Sequence, residues 1–369
     1  MRNKNFKKVI ISWLALISLV FYGFYFGLEK YYSKKRPIDP LEIKAAESMA
    51  QVEKTIFRCQ QEKGLHPEEN VFDPNHTGLI GLENTPLTTT LGNLEAKRTT
   101  TNPDLAGLMV YLFRQAGVKK NEVVAVGASS SFPALILAVY CAAKAMEVEL
   151  LVINSLGASQ WGANNPEFTW LEIEECLCRS GFIPPRLLGF SWGGEDDSGD
   201  DFPEDLKMKM REKAAALGAI FLEGKNLEQK VSERLRLYYQ AAGEKKIKAF
   251  INIGGGFVNL GTDSSVLELR PGLTRVKKIP PVSRRGVIQE MARREIPVIH
   301  LLNIRGLVEH YGLPWDPQPL PWPGKAIHGK LNLLEKRTLL IFFATYIFVC
   351  VLSGFLLGFI RKKLGQRAL

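Results

Sequence analysis

Several loops of this 369-residue chain carry side chains that could do chemistry. Gly127-Ala128-Ser129-Ser130-Ser131-Phe132-Pro133 follows an apolar run and opens a helix-length stretch. The hydroxyls of Ser129, Ser130 and Ser131, the loop N–H groups and the dipole of the following helix would suit a carboxylate or phosphate. The same loop approximates the nucleophile elbow G-x-S-x-G, with Ser129 at the nucleophile position. Ser131 stands where the final Gly belongs, and its side chain crowds that turn. A Ser129 hydrolase also needs a general base, and His300 and His310 are the candidates late in the chain. His300, within IPVIHLLNI, reads as a core-facing strand histidine.

Asn252-Ile253-Gly254-Gly255-Gly256-Phe257 ends a second apolar run, and its three glycines allow a backbone to approach a ligand closely. Thr88–Asn102 places Lys97 and Arg98 among threonines. Two cations there would hold carboxylates through charge-assisted hydrogen bonds, although the composition by itself describes a solvated loop. Asn164 lies in Ser155–Pro166, longer than a strand-to-helix connection needs to be, and such loops tend to carry function. The acidic run Glu195, Asp196, Asp197, Asp200 and Asp201 lacks the alternating ligands of a calcium loop and reads as a solvated turn before a helix. His66, His76 and His328 have no metal-ligand spacing, and no Walker or dinucleotide fingerprint is present, so neither metal nor cofactor is expected.

The elements that must position these loops alternate along the chain. Strand-like runs at 122–128, 149–155, 186–192, 219–222, 248–254 and 297–304 are separated by helix-length stretches at 132–146, 166–180, 203–217, 227–242 and 283–294. This pattern predicts an α/β fold, an open and mostly parallel sheet with helices on both faces. Ligands of such sheets bind outside the strand carboxyl ends, where the serine and glycine loops fall. Residues 40–63 read as one amphipathic helix, a stalk or a cover. Residues 64–103 read as loop, and the Pro-rich 313–337 as a stiff connector. Cys59, Cys141, Cys176 and Cys178 leave some pairing open outside a cell, with Cys176 and Cys178 too close to pair comfortably with each other.

The formal charge of +10 invites a polyanionic partner, but its placement argues otherwise. Residues 1–8 and 361–369 each hold four bases and no acid, and 29–38 and 325–360 each hold four bases against one acid. The interior, 39–324, is left with 32 bases against 36 acids, which disfavours a nucleic-acid surface. The ends frame two uncharged runs, 9–28 and 338–360, each long enough to cross a bilayer. The first lacks a small-residue cleavage site and reads as an uncleaved anchor rather than a signal peptide. Short basic tails resist translocation, whereas charges in a long loop count for little. A cell-membrane protein with two spans, both tails (1–8 and 361–369) cytoplasmic and the 64–312 domain outside is therefore expected.

Taken together, HTGLIGLENTPLTTTLGNLEAKRTTTNPD (76–104), VAVGASSSFPAL (124–135), SLGASQWGANNPEFTWLEIE (155–174), FSWGGEDDSGDD (190–201) and FINIGGGFVNLG (250–261) resemble the poly-gamma-glutamate system protein family. The likeness runs through most of 64–312. Where that family more often has Gly, this chain has Ser130. The resemblance implies a membrane-anchored accessory component of poly-gamma-glutamate synthesis or export, with other subunits of that system and the polymer as partners. It assigns no catalytic residue. An anion crevice formed by Ser129–Ser131, Gly254–Gly256, Lys97, Arg98 and Asn164 is one expectation. An extracytoplasmic serine hydrolase or transferase acting on an amide or ester through Ser129 is the alternative.

Overall fold

The computed structural model describes residues 2–32, 38–183, 187–325 and 336–366. It separates into two units, Pro37–His328 and the pair of terminal segments. Helix α1 (Arg2–Tyr32) opens the chain. The larger unit begins with α2 (Pro40–Glu62), α3 (Leu94–Thr100) and α4 (Asp104–Gln115), followed by β1 (Val123–Ser129), α5 (Pro133–Met146) and β2 (Glu149–Ser155). A short hairpin, β3 (Asn164–Asn165) and β4 (Phe168–Thr169), leads into α6 (Trp170–Arg179) and β5 (Leu187–Ser191). Then come α7 (Glu204–Ala216), β6 (Ile220–Phe221), α8 (Leu227–Ala242), β7 (Ile247–Ile253), α9 (Phe257–Leu260), β8 (Gly272–Thr274), α10 (Val287–Arg293), β9 (Val298–Leu301) and α11 (Ile304–Tyr311).

Seven strands form one sheet in the order β6-β5-β2-β1-β7-β9-β8, parallel throughout except for β8 against β9. The expected α/β architecture is present, with one antiparallel edge strand. The alternation of β1 explains the two-sided core. Val124, Val126 and Ala128 join the apolar cluster of α2, α4, α5 and α6, whereas Val123 and Ala125 join the cluster of α8 and α10. Helix α5 is apolar nearly all round because α2 and α4 cover it from above. The amphipathic helix expected at 40–63 is thus a cover, and the Cys59–Cys176 disulfide ties it to α6.

The chain leaves β1 toward β2 and β5 on one side and returns to β7 on the other. The strand order therefore reverses between β1 and β7, and a crevice opens at their carboxyl ends. The serine loop follows β1 and the triple glycine follows β7.

Some local expectations are corrected. The reading of 64–103 as loop missed α3, which starts because Asn93 Oδ1 accepts the Ala96 N–H at 2.7 Å. The helix expected from 166 begins only at Trp170, where Thr169 and Glu172 form a capping box. Residues 313–325 are not a free spacer. Arg98 pairs with Asp316 at 2.6 Å, Asn75 Nδ2 donates to Pro317 O at 3.1 Å, and the Gly324 N–H donates to Asp104. The rest of the expected connector, 326–335, and the tail residues 1 and 367–369 lie outside the described residues.

In the other unit α1 pairs with α12 (Lys336–Gln366). Lys8–Leu28 and Leu339–Phe359 are each long and apolar enough to cross a membrane and are exposed along their length. In such a helix Ser18 Oγ bonds back to Leu14 O at 2.9 Å and lies 2.8 Å from Tyr346 OH, so two polar groups satisfy each other where lipid cannot. Phe21 packs beside that pair, its ring 5.5 Å from Phe342 and 5.2 Å from Tyr346.

Candidate functional site

The crevice between β1 and β7 has a volume of about 570 Å³. Its walls come from separate stretches of sequence: Thr89–Asn93 and Lys97, Ser129 with Ser131 and Phe132, Ser155 with Gly157 and Ser159, Gly193–Glu195, Gly255–Phe257, and Leu302. Of the residues expected to bind an anion, Lys97, Ser129, Ser131, Gly255 and Gly256 line it.

Lys97 is the centre of this arrangement. It is only 2% exposed, and no carboxylate pairs with it among the described residues. Its Nζ donates to Ser131 O and, at 2.7 Å, to Ser159 Oγ, and it sits 4.0 Å from the centroid of the Phe132 ring. Burial brings its pKa down to about 7. Helix α3 achieves this placement by pointing consecutive residues in different directions. Arg98 turns about 100° further round the helix, away from the crevice and into its pair with Asp316.

The hydroxyls form a chain. Ser129 Oγ donates to Ser131 Oγ at 3.0 Å, and Ser131 Oγ accepts the Ser159 N–H at 2.9 Å. Gly254 has φ +78°, and a side chain there would put its Cβ 3.2 Å from that of Ser129. Glycine is thus required at that point on two grounds. Beyond it, neither the Gly255 nor the Gly256 N–H has an acceptor among the described residues.

Four expected ligands are not in the crevice lining: Gly254, whose N–H donates to Leu301 O at 2.9 Å, and Ser130, Asn164 and Arg98. Ser130 is fully buried; its N–H donates to Ser155 O at 3.0 Å and its Oγ accepts from Asn154 Nδ2 at 2.9 Å, so it staples β1 to β2. Asn164 holds the 82–88 loop, accepting the Leu82 N–H at 2.9 Å and donating to Leu82 O at 2.8 Å and Thr88 Oγ1 at 2.9 Å. Arg98 is taken by Asp316. The reasons are alike, since each polar group found a partner within the fold before any ligand could use it.

The histidines do not complete a triad. His300 is core-facing as expected, 2% exposed, with Nδ1 3.2 Å from Asn252 Nδ2, and burial brings its pKa to about 4. Neither His300 nor His310 is a hydrogen-bond partner of Ser129.

The acidic run is the solvated turn expected at Glu195, Asp196, Asp200 and Asp201, which are exposed, but not at Asp197. Asp197 is buried and paired with Arg234 at 2.8 Å, both side chains being 2% exposed. Its other oxygen accepts from Ser191 Oγ at 2.7 Å and from the Gly193 N–H at 2.9 Å. This network holds the Gly193–Glu195 wall in place. Reasoning from sequence singled out the Ser155–Pro166 segment but not Ser155 and Ser159 within it. Their position at the carboxyl end of β2 was the available signal, since β2 is the other neighbour of β1.

No family model, curated protein or solved structure matches this chain.

Proposed function

We propose that this protein is a membrane-anchored accessory component of poly-gamma-glutamate synthesis or export, and that the crevice between β1 and β7 binds carboxylates of that polymer. One observation carries the reading. The five sequence blocks that resemble the poly-gamma-glutamate system protein family, far apart in the chain, each contribute to the wall of this one crevice. A buried ammonium lacking a counter-ion, serine hydroxyls and unpaired loop N–H groups meet there, which suits a carboxylate. Because the interior of the chain is net acidic, recognition is local to the crevice and only weakly salt-dependent.

The same proposal places the domain outside the cell, with both tails in the cytoplasm. A disulfide between Cys59 and Cys176 supports an oxidising compartment, and the short basic tails favour retention inside.

Titration of the full chain in detergent with tri-γ-glutamate tests the binding. Lys97→Met is expected to weaken affinity by about 10-fold or more, the worth of one charge-assisted hydrogen bond. Equal binding by the variant, or no binding by the parent chain, would refute the reading. The pH dependence has a definite sign. A bound carboxylate favours the protonated lysine, so affinity is full below about 7 and declines as Lys97 loses its proton above it.

A further inference from the structure

We propose that Ser159 and Lys97 form an acyl-transfer centre, with Ser159 as nucleophile and Lys97 as its general base, acting on an amide or ester whose acyl part carries a carboxylate. This rests on the carboxylate-binding crevice described above and adds a reaction to it. Ser129, the serine singled out by its likeness to a nucleophile elbow, has no base as a partner among the described residues: its Oγ donates to Ser131 Oγ at 3.0 Å and accepts the Ser131 N–H at 3.3 Å. Ser159 has a base. Its Oγ lies 2.7 Å from Lys97 Nζ, it lines the crevice, and its own N–H is anchored on Ser131 Oγ at 2.9 Å.

The environment of the amine fits that role. The groups facing Lys97 are the Ser131 carbonyl, the Ser159 hydroxyl and the Phe132 ring, and none carries charge. On its own helix, Arg98 is turned to Asp316 and Glu95 is exposed; across the crevice Glu195 is the other titratable lining group, also exposed. Burial without a counter-ion therefore leaves a large fraction of the lysine neutral near pH 7.

The step balances without any added reagent but water. The Ser159 proton passes to Lys97 Nζ as Oγ bonds to the carbonyl carbon. The tetrahedral intermediate collapses with cleavage of the C–N or C–O bond, and the departing amine or alcohol takes the proton from Lys97. Water then attacks the Ser159 ester, giving its proton to Lys97; the C–Oγ bond breaks, Ser159 Oγ takes that proton back from Lys97, and the acid is released. The ammonium form of Lys97 favours carboxylate binding and the amine form favours attack, so the two properties respond to pH in opposite directions.

The test uses the full chain in detergent micelles, with p-nitrophenyl acetate as the acylating probe and γ-glutamyl-p-nitroanilide as the carboxylate-bearing amide. Peptide mass analysis after brief exposure to the ester is expected to place the acetyl group on Ser159. Ser159→Ala should lower turnover of both probes by ~100-fold or more, as loss of a positioned nucleophile does. For Lys97→Ala, whose loss of activity alone could reflect misfolding, added methylamine should restore turnover saturably. The parent chain's turnover should rise with pH through about 7, opposite to its affinity for tri-γ-glutamate. An acetyl group on another serine, no adduct at all, or undiminished turnover by Ser159→Ala would overturn the proposal. Acylation of Ser159 in a chain that fails to bind tri-γ-glutamate would instead overturn the carboxylate-bearing substrate and the reading it rests on, and leave Ser159 and Lys97 as the acyl-transfer centre.

Discussion

Lys97 illustrates how little a residue type says until its surroundings are known. A lysine among threonines ordinarily faces water; this one is enclosed by Phe132, Ser131 and Ser159. Its enclosure has a cost that stability measurements can read. Because the folded pKa is depressed to about 7, the unfolded chain binds more protons than the folded one between that value and the ordinary lysine range near 10.4. Stability should therefore rise as pH increases across that window, through relief of a penalty that is greatest below it. Melting curves of the full chain at pH 7 and pH 9 should show this rise, and Lys97→Met should remove its contribution. If the variant keeps the same pH dependence, the lysine is not desolvated in solution. Asp197 gives a second prediction at this scale. Replacing it by Ala strands Arg234 as a buried, unpaired charge, which typically costs about 3–5 kcal/mol. Denaturant unfolding should show a loss of that size; an effect below about 1 kcal/mol would match an exposed pair instead and contradict the burial.

At the level of elements, α3 and the loops after β1, β2 and β7 do the positioning. Helix α3 is short and depends on its Asn93 cap. Asn93→Ala should cost about 1 kcal/mol and release the first turn of the helix, moving Lys97 relative to Ser159. Binding of tri-γ-glutamate and acylation by p-nitrophenyl acetate should then fall together, although neither reaction uses Asn93. Loss of stability with both functions intact would separate the cap from the site. The sheet elements were readable because each central strand is a short apolar run flanked by polar turns, and β2 spans the stretch expected, Glu149–Ser155. β8 was not readable: Gly272–Thr274 has no periodicity of its own and is a strand only because β9 offers it an edge. Helix α3 was not read either, because the threonine-rich composition after Asn93 pointed to loop.

On the scale of the whole molecule, the cover helix α2 is bound to α6 by the Cys59–Cys176 disulfide, which closes a loop with a sequence separation of 117 residues. Replacing both cysteines with serine should cost about 2–5 kcal/mol, since so long a loop regains much conformational freedom when the chain unfolds. A thermal transition unchanged by that double substitution, or by reductant, would show that the bond is not formed in the protein. The orientation proposed for the membrane can be checked independently. A reporter active only outside the cell, fused after Leu369, should be silent; activity there would reverse the topology.

The sequence by itself determined the features that depend on neighbours along the chain. Two uncharged runs of bilayer length, the alternation of strands and helices, and the positions of the serine and glycine loops at strand ends are all local patterns. They follow from the period of the backbone and the free energy of burying apolar side chains. Only the tertiary structure decided which polar groups remain available to a ligand. Lys97 and Arg98 are adjacent and chemically alike, yet one enters the crevice unpaired and the other is neutralised by Asp316, 218 residues away. Ser129, Ser130 and Ser131 are divided in the same way by what β2 and the Ser159 loop present to them. Hydrogen bonds and ion pairs act over a few ångströms, so their partners are settled by the packing of distant segments, and no spacing along the chain records them.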